Sequence, residues 1–251
     1  MTSLITLLTD FGTADGYVGE MKGVLLSAAP GATIVDIAHD IAPQDTEGAR
    51  LAVARYWRRY PPKTVHLVVV DPGVGTSRAA IAVHSDGRFL VGPDTGVLSP
   101  ALLAPGVEVV ALPVPKGASP TFHGRDLFAP AAAQLAVGAA LASLGSPFLD
   151  PVVHRTPEPH RAADGGIRGE VIHVDRFGNA VTNLLAPQGG TIAVAGRVLP
   201  LSHTYGDGAP GDVVAITGSS GLVEIAVRDG DAARLLGLRR GDEIVLRSGN
   251  R

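Results

Sequence analysis

The chain has no cysteine. That absence excludes disulfides, thiolate metal sites and cysteine nucleophiles together, and it suits a cytoplasmic protein. A run of basic residues is also missing, and the net charge is −3, so a nucleic-acid partner has no electrostatic support. No apolar stretch reaches the roughly 18 residues of a membrane span. The opening Met1-Thr2-Ser3-Leu4 runs straight into strand-like sequence, without the basic and long apolar regions of a signal peptide. What remains is a chain of 251 residues, 45% hydrophobic and 18% charged, enough for a real core in one large or two modest domains. Its 32 glycines and 19 prolines promise many tight loops.

The stretch from Val65 to Arg78 organises the rest. A buried-type run, Val65-His66-Leu67-Val68-Val69-Val70, stops abruptly at Asp71-Pro72-Gly73-Val74-Gly75. Ligands of open α/β sheets sit beyond the carboxyl ends of the strands, so Asp71 stands where chemistry usually occurs, with Arg78 across a turn able to bring it back. Upstream, Leu4 to Thr9 reads as a strand and Gly16 to Ala29 as a helix. Thr33 to Ile37 reads as a second strand, and Thr46 as the N-cap of a helix running to about Tyr60. This order predicts a parallel sheet with helices on its faces. Ala79 to Val83 and Arg88 to Val91 read as a hairpin around Ser85-Asp86-Gly87, and Val107 to Leu112 as a further strand. An alanine-rich helix is expected from Leu127 to about Leu141, with Asp126 as its N-cap.

Near Ser146 the character changes. Prolines 147, 151, 157 and 159 with Gly165-Gly166 mark a linker, and beyond it short strands with Gly/Asp turns predict a small β-barrel or sandwich. The expected organisation is an α/β domain over 1–150, a linker over 151–166 and a β-barrel-like domain over 167–251.

Four polar clusters fall at predicted strand ends or helix starts: Asp10/Asp15, Asp71/Arg78, Asp94, and His123/Arg125/Asp126. Each alone reads as a cap, a turn or a surface residue; their recurrence on one rim of one sheet points to a shared pocket. Gly73-Val74-Gly75-Thr76-Ser77 lacks the lysine of a phosphate loop and the spacing of a dinucleotide fold. Ser77 lacks the G-x-S-x-G elbow of a nucleophile. His39, Asp40, Asp71 and His123 lack metal-ligand spacing, so no metal is expected. In the second half, Asp175-Arg176-Phe177-Gly178-Asn179 suits either stacking on a flat ring or a plain hairpin turn, with Asn183 then satisfying backbone. Gly218-Ser219-Ser220-Gly221 is either a donor-rich loop for a carboxylate or merely a turn.

Taken together and in order, these segments resemble the S-adenosyl-L-methionine (SAM) hydroxide adenosyltransferases, relatives of the fluorinases and chlorinases. The matching stretches are Thr9-Asp10-Phe11-Gly12 with Asp15-Gly16-Tyr17-Val18-Gly19, His39-Asp40-Ile41, Val70 to Gly75 with Arg78, Gly92-Pro93-Asp94-Thr95-Gly96, Phe122 to Asp126, and Asp175 to Asn179 with Thr182-Asn183. The resemblance implies a Rossmann-like N-terminal α/β sandwich and a C-terminal β-barrel-like domain. It also implies a homotrimer with active sites between subunits, and attack of water or hydroxide on C5′ of SAM to give adenosine and methionine. SAM is then the substrate, and no cofactor is needed. The family's Asp-Arg-His set falls on Asp71, Arg78 and His123, a set that the halogenating relatives lack. Asp10 falls at the carboxylate for the ribose hydroxyls, and Asp15, Asp175 and Ser219 at positions for the methionine part. Phe177 and Asn179 fall on the adenine side. Two departures are Thr95 and Gly218, where the family often has asparagine.

The expected chemistry follows from the substrate. A sulfonium leaves without general acid, so the task is to hold one water in line with C5′ and make it nucleophilic. Asp71 and His123 would orient and polarise that water while Arg78 holds Asp71 as an anion; which group takes the proton stays open at this level. Two other readings use the same residues: a chloride-using halogenase, against which Asp71, Arg78 and His123 speak, and an adenosine- or SAM-binding module without turnover.

Overall fold

The computed structural model describes residues 3–187 and 189–247; Met1 and Thr2 of the opening segment lie outside them. Contacts divide the chain into two compact units, Met1–His154 and Arg155–Arg251. The first contains β1 (Leu4–Thr9), α1 (Tyr17–Ala28), β2 (Thr33–Ala38), α2 (Thr46–Tyr56), β3 (Val65–Val69), β4 (Ala80–Ser85) and β5 (Arg88–Pro93). After these come α3 (Ser99–Leu102), β6 (Glu108–Ala111), α4 (Ala129–Ala136) and the two-residue β7 (Ser146–Pro147). They form one seven-stranded sheet in the order β2-β1-β3-β5-β4-β6-β7.

Alternation along the strands builds two cores. Ile5, Leu7, Val65, Leu67 and Val69 pack on Met21 and Leu25 of α1 and on Ala132 and Leu135 of α4. Leu8, Val68 and Val70 pack on the opposite face against Ala49 and Val53 of α2. Covered on both faces, β3 is buried at every residue, which explains its uninterrupted apolar sequence. It pairs in parallel with β1 and β5, so the ends of β1 and β3 share one rim.

The α/β sandwich is as expected: β1, β2, β3 and β5 run parallel, and the expected hairpin turns on Asp86-Gly87, both with positive φ, leaving β4 antiparallel to β5 and to β6. Three local corrections apply. The N-cap of α2 is Asp45, whose carboxylate accepts the Gly48 N–H at 3.0 Å, not Thr46, and the helix gives way to a 3₁₀ turn at Trp57–Arg59. The alanine-rich helix starts as a π-helical turn over Gly124–Phe128 and ends at Ala136, just ahead of Gly138 at φ 98°. Asp126 lies inside that π turn rather than capping it; its carboxylate accepts the Ser119 N–H at 2.8 Å and pairs with Arg125.

The second unit contains β8 (His160–Arg161), β9 (Ile167–Val174), β10 (Ala180–Leu185), β11 (Thr191–Val194), β12 (Arg197–Ser202), β13 (Val213–Thr217), β14 (Leu222–Val227), the short α5 (Ala232–Leu236) and β15 (Glu243–Arg247). The pairing β9-β10-β14-β13-β12-β11-β15 returns to β9, so seven strands close on themselves, and β8 pairs onto β9 from outside. Between barrel and sandwich, the structure is the barrel. Its interior is apolar, including Val171, Leu184, Ile192, Val223, Ile225, Ile244 and Leu246. Closure removes the exposed edges that an open sheet of such short strands would present.

Candidate active site

The loop after β3 does what its composition predicted. Arg78 folds back onto Asp71: Nε donates to Oδ1 at 2.9 Å, and Nη2 makes a short bond to Oδ2. The glycines make room for this. A Cβ on Gly73 would lie 2.9 Å from Arg78 Cγ, and one on Gly75, at φ 76°, would lie 2.6 Å from the Pro120 carbonyl. The second approach seats the loop against the segment leading to His123. Arg78 Nη2 also reaches His123 Nδ1 at 2.9 Å, and its guanidinium lies 5.1 Å from the centre of the buried Phe128 ring. Residues from position 71 to position 123 thus form one network, largely removed from water: the Asp71 and Arg78 side chains are 6% and 9% exposed.

The network has a direction. A guanidinium only donates, so His123 Nδ1 accepts, and the neutral ring carries its proton on Nε2. Burial first, and then the Arg78 charge, push His123 below the ordinary 6.5 despite the opposing carboxylates of Asp71 and Asp126. At neutral pH His123 is therefore a neutral hydrogen-bond donor through Nε2. Asp71 is the carboxylate acceptor of the trio. His66 makes the contrast within the same sheet. Completely buried on β3 against Thr6 and Tyr56, it is held at about 4 by burial and then by Arg88, and it belongs to the core.

The other rim residues divide. Asp10, just past β1, is half-buried, and its Oδ2 accepts the Gln44 N–H at 2.8 Å. Asp15 is exposed in the turn that enters α1. Asp94 accepts the Val152 N–H at 2.8 Å; burial, and then the Asp150 charge, raise its carboxyl above the usual range. Arg125 is occupied by Asp126 and Glu20 and lies over the Phe122 ring. Phe11, Tyr17 and Phe122 meet edge to face with centroids 5.3 to 5.9 Å apart, closing the rim beside His123.

In the second unit the 175–179 segment is a turn built on a carboxylate. Asp175 Oδ1 accepts the N–H groups of Phe177 and Asn179 at 2.9 Å each, and Oδ2 accepts Asn179 Nδ2 at 3.1 Å. Asn179 is buried by this, whereas the Phe177 ring is 76% exposed at the tip. Asn183 satisfies backbone, accepting the Glu170 N–H and donating to the Pro157 carbonyl. Ser219 is exposed in the 218–221 turn. Gly218 is glycine for a local reason: a side chain there would overlap the Glu224 carboxylate.

Two family models match the chain: the SAM hydroxide adenosyltransferase N-terminal domain over residues 5–145 and its C-terminal domain over 169–245. The chain belongs to the SAM hydroxide adenosyltransferase family. Within it, an (R)-S-adenosyl-L-methionine hydrolase of Thermus thermophilus is 44% identical, with 94% of this chain and 96% of that protein covered. One from Salinispora tropica is 40% identical with 99% of each covered. A fluorinase of Nocardia brasiliensis is more distant at 28%, covering 98% and 97%. A solved structure of a conserved Thermotoga maritima protein superposes with a TM-score of 0.87 at 36% identity, covering 96% of this chain and 99% of that one.

Two polar neighbourhoods have little signature in the sequence. Tyr205 is raised above its usual value by burial and then by the charges of Glu224 and Asp175, which puts all three in one neighbourhood of the second unit. The available signal was Glu224, a carboxylate in the middle of the apolar run Leu222 to Val227 and only 8% exposed. On the first unit the missed groups are Thr9 and Asp36, which flank His39.

Proposed function

We propose that the chain hydrolyses S-adenosyl-L-methionine to adenosine and L-methionine, with Asp71, Arg78 and His123 as the catalytic set. The observation that carries this is the directed network of those three side chains at the carboxyl ends of the sheet. A water oxygen bonds to C5′ while the C5′–S bond breaks, its electron pair returning to sulfur as a neutral thioether. Orientation of the water in line can supply ~7 kcal/mol of the barrier. Asp71 is the acceptor for the water's proton, which then passes to solvent. His123, whose Nδ1 is occupied by Arg78, donates through Nε2 and orients the water rather than deprotonating it. General-base help of this kind contributes about 10²-fold or more.

Asp10 takes the ribose hydroxyls; Asp15, Asp175 and Ser219 take the methionine portion; Phe177 and Asn179 frame adenine. With Asn179 Nδ2 turned onto Asp175, its share on the adenine side is to set the turn that presents Phe177. The reading carries with it a homotrimer with active sites between subunits, a cytoplasmic location and the division into domains at 1–150 and 167–251 joined by 151–166. The relatives' names specify the (R) sulfonium epimer, so we take that epimer as the preferred substrate.

Incubation with each sulfonium epimer, with and without chloride, followed by chromatography, tests this. Methionine and adenosine in equal amounts, faster from the (R) epimer, is the expected result. Formation of 5′-chloro-5′-deoxyadenosine would establish a halogenase, and intact SAM retained on the protein a binding module.

A further inference from the structure

The rim carries a second polar chain that the hydrolysis above does not use. β2 follows β1 in parallel register as far as Asp36 opposite Leu7, then slips so that Ala38 faces Leu8. Irregularities of this kind re-aim the side chains beyond them. His39 consequently turns its ring onto the end of β1, with Nδ1 2.9 Å from Thr9 Oγ1 and Nε2 3.1 Å from Asp36 Oδ1. Lys22 Nζ donates to Asp36 Oδ2 at 2.6 Å. Burial raises the Asp36 carboxyl, but Lys22 and His39 outweigh it and hold it below 3.8. The Thr9 hydroxyl and His39 Nδ1 share one hydrogen bond, while Nε2 lies beside the Asp36 carboxylate without making one. Thr9 Oγ1 in turn faces the Phe11 N–H at 3.3 Å.

His39 holds the same turn a second time through its backbone, its carbonyl accepting the Gly12 N–H at 2.7 Å. Thr9 and Gly12 stand on either side of Asp10, and Gln44, five residues past His39, donates to Asp10 itself. Thr9 is fully buried and His39 is 8% exposed, so a hydrogen bond lost there is not replaced by water. Two ties from one residue, placed on both sides of one carboxylate, fix that carboxylate's direction.

We propose that His39 is a positioning residue: by gripping Thr9 and Gly12 it aims Asp10 at the ribose hydroxyls of the substrate. This rests on the assignment of Asp10 to the ribose made above. The chemistry it serves is recognition of a ribonucleoside diol, which sets where C5′ lies relative to Asp71.

Calorimetric titration of the full-length protein with adenosine and with 2′-deoxyadenosine reads the aim of Asp10 without requiring turnover. Wild-type protein is expected to prefer adenosine by about tenfold or more, the effect of one hydrogen bond to a charged group. His39→Ala and the near-isosteric Thr9→Val should reduce that preference to about twofold, and His39→Asn, whose amide reaches the place of Nδ1, should restore most of it. Thr9→Val carries the test if His39→Ala does not fold. Equal weakening of both nucleosides, a preference unchanged in Thr9→Val, or no preference in the wild type would each overturn the proposal. SAM turnover by the wild type is measured alongside. If it is absent while the preference behaves as expected, the hydrolase reading fails and the role of His39 stands.

Discussion

At the rim of the first unit three side chains hold one another, whereas at the 175–179 turn of the second a carboxylate holds its own segment and an aromatic ring is left bare. Asp71 and Arg78 are almost sealed from water, while Phe177 is 76% exposed. Charges withdrawn from solvent are costly unless paired, so each member of the rim trio fixes the others' positions. The turn works differently. Asp175 satisfies three N–H donors of its own segment, and the ring it presents has its face free for a planar partner. The proposed function assigns the reaction to the first region and contact area to the second. Substitutions should therefore act on turnover in the first and on binding in the second.

The largest expected effect is at Asp71. Asp71→Asn keeps the shape but removes the carboxylate base and leaves the buried Arg78 charge without its counter-charge. Steady-state kinetics should show kcat reduced by about 10²- to 10⁴-fold with KM changed by less than about threefold. A variant that lost only KM would break the distinction between the regions. A smaller effect of the opposite kind is expected at Phe177. Phe177→Ala should weaken adenosine binding by about 5- to 100-fold, the range for stacking one base on an aromatic side chain, with kcat within about threefold of wild type. Its melting temperature should move by about 1 °C or less, because the ring buries little in the chain itself. Loss of stability there would mean that the ring serves the fold instead.

Much of this contrast is legible in the sequence, and the limits of legibility are physical. The end of β3 at Asp71 is visible because a strand covered on both faces needs an unbroken apolar run, and the run stops there. The return of Arg78 is visible in the glycines between them. The pairing with His123, 45 residues further on, has no local signature and was reached through the family resemblance. The direction of its hydrogen bonds was out of reach, since only coordinates reveal which ring nitrogen meets the guanidinium. Asp126 shows the reverse case. Its position before an alanine-rich helix reads as a cap, but Arg125 and the Ser119 N–H engage its carboxylate inside a π turn that residue types do not announce. Barrel and sandwich shared one strand pattern, and closure depends on the β9–β10 and β9–β15 pairings, which are non-local at one of the two joins. In the sequence His39 shows only as a ligand type without metal-ligand spacing and in the His39-Asp40-Ile41 match, while its partner Thr9 reads as the last residue of a strand, because a register slip joins them.

The central claim is that water attacks C5′ under the control of the Asp71–Arg78–His123 network. The most direct test is mass spectrometry of the products formed from SAM in ¹⁸O-labelled water. The account predicts adenosine carrying the label at its 5′ oxygen and methionine free of it. Unlabelled adenosine, or products of cleavage at any bond other than C5′–S, would contradict it.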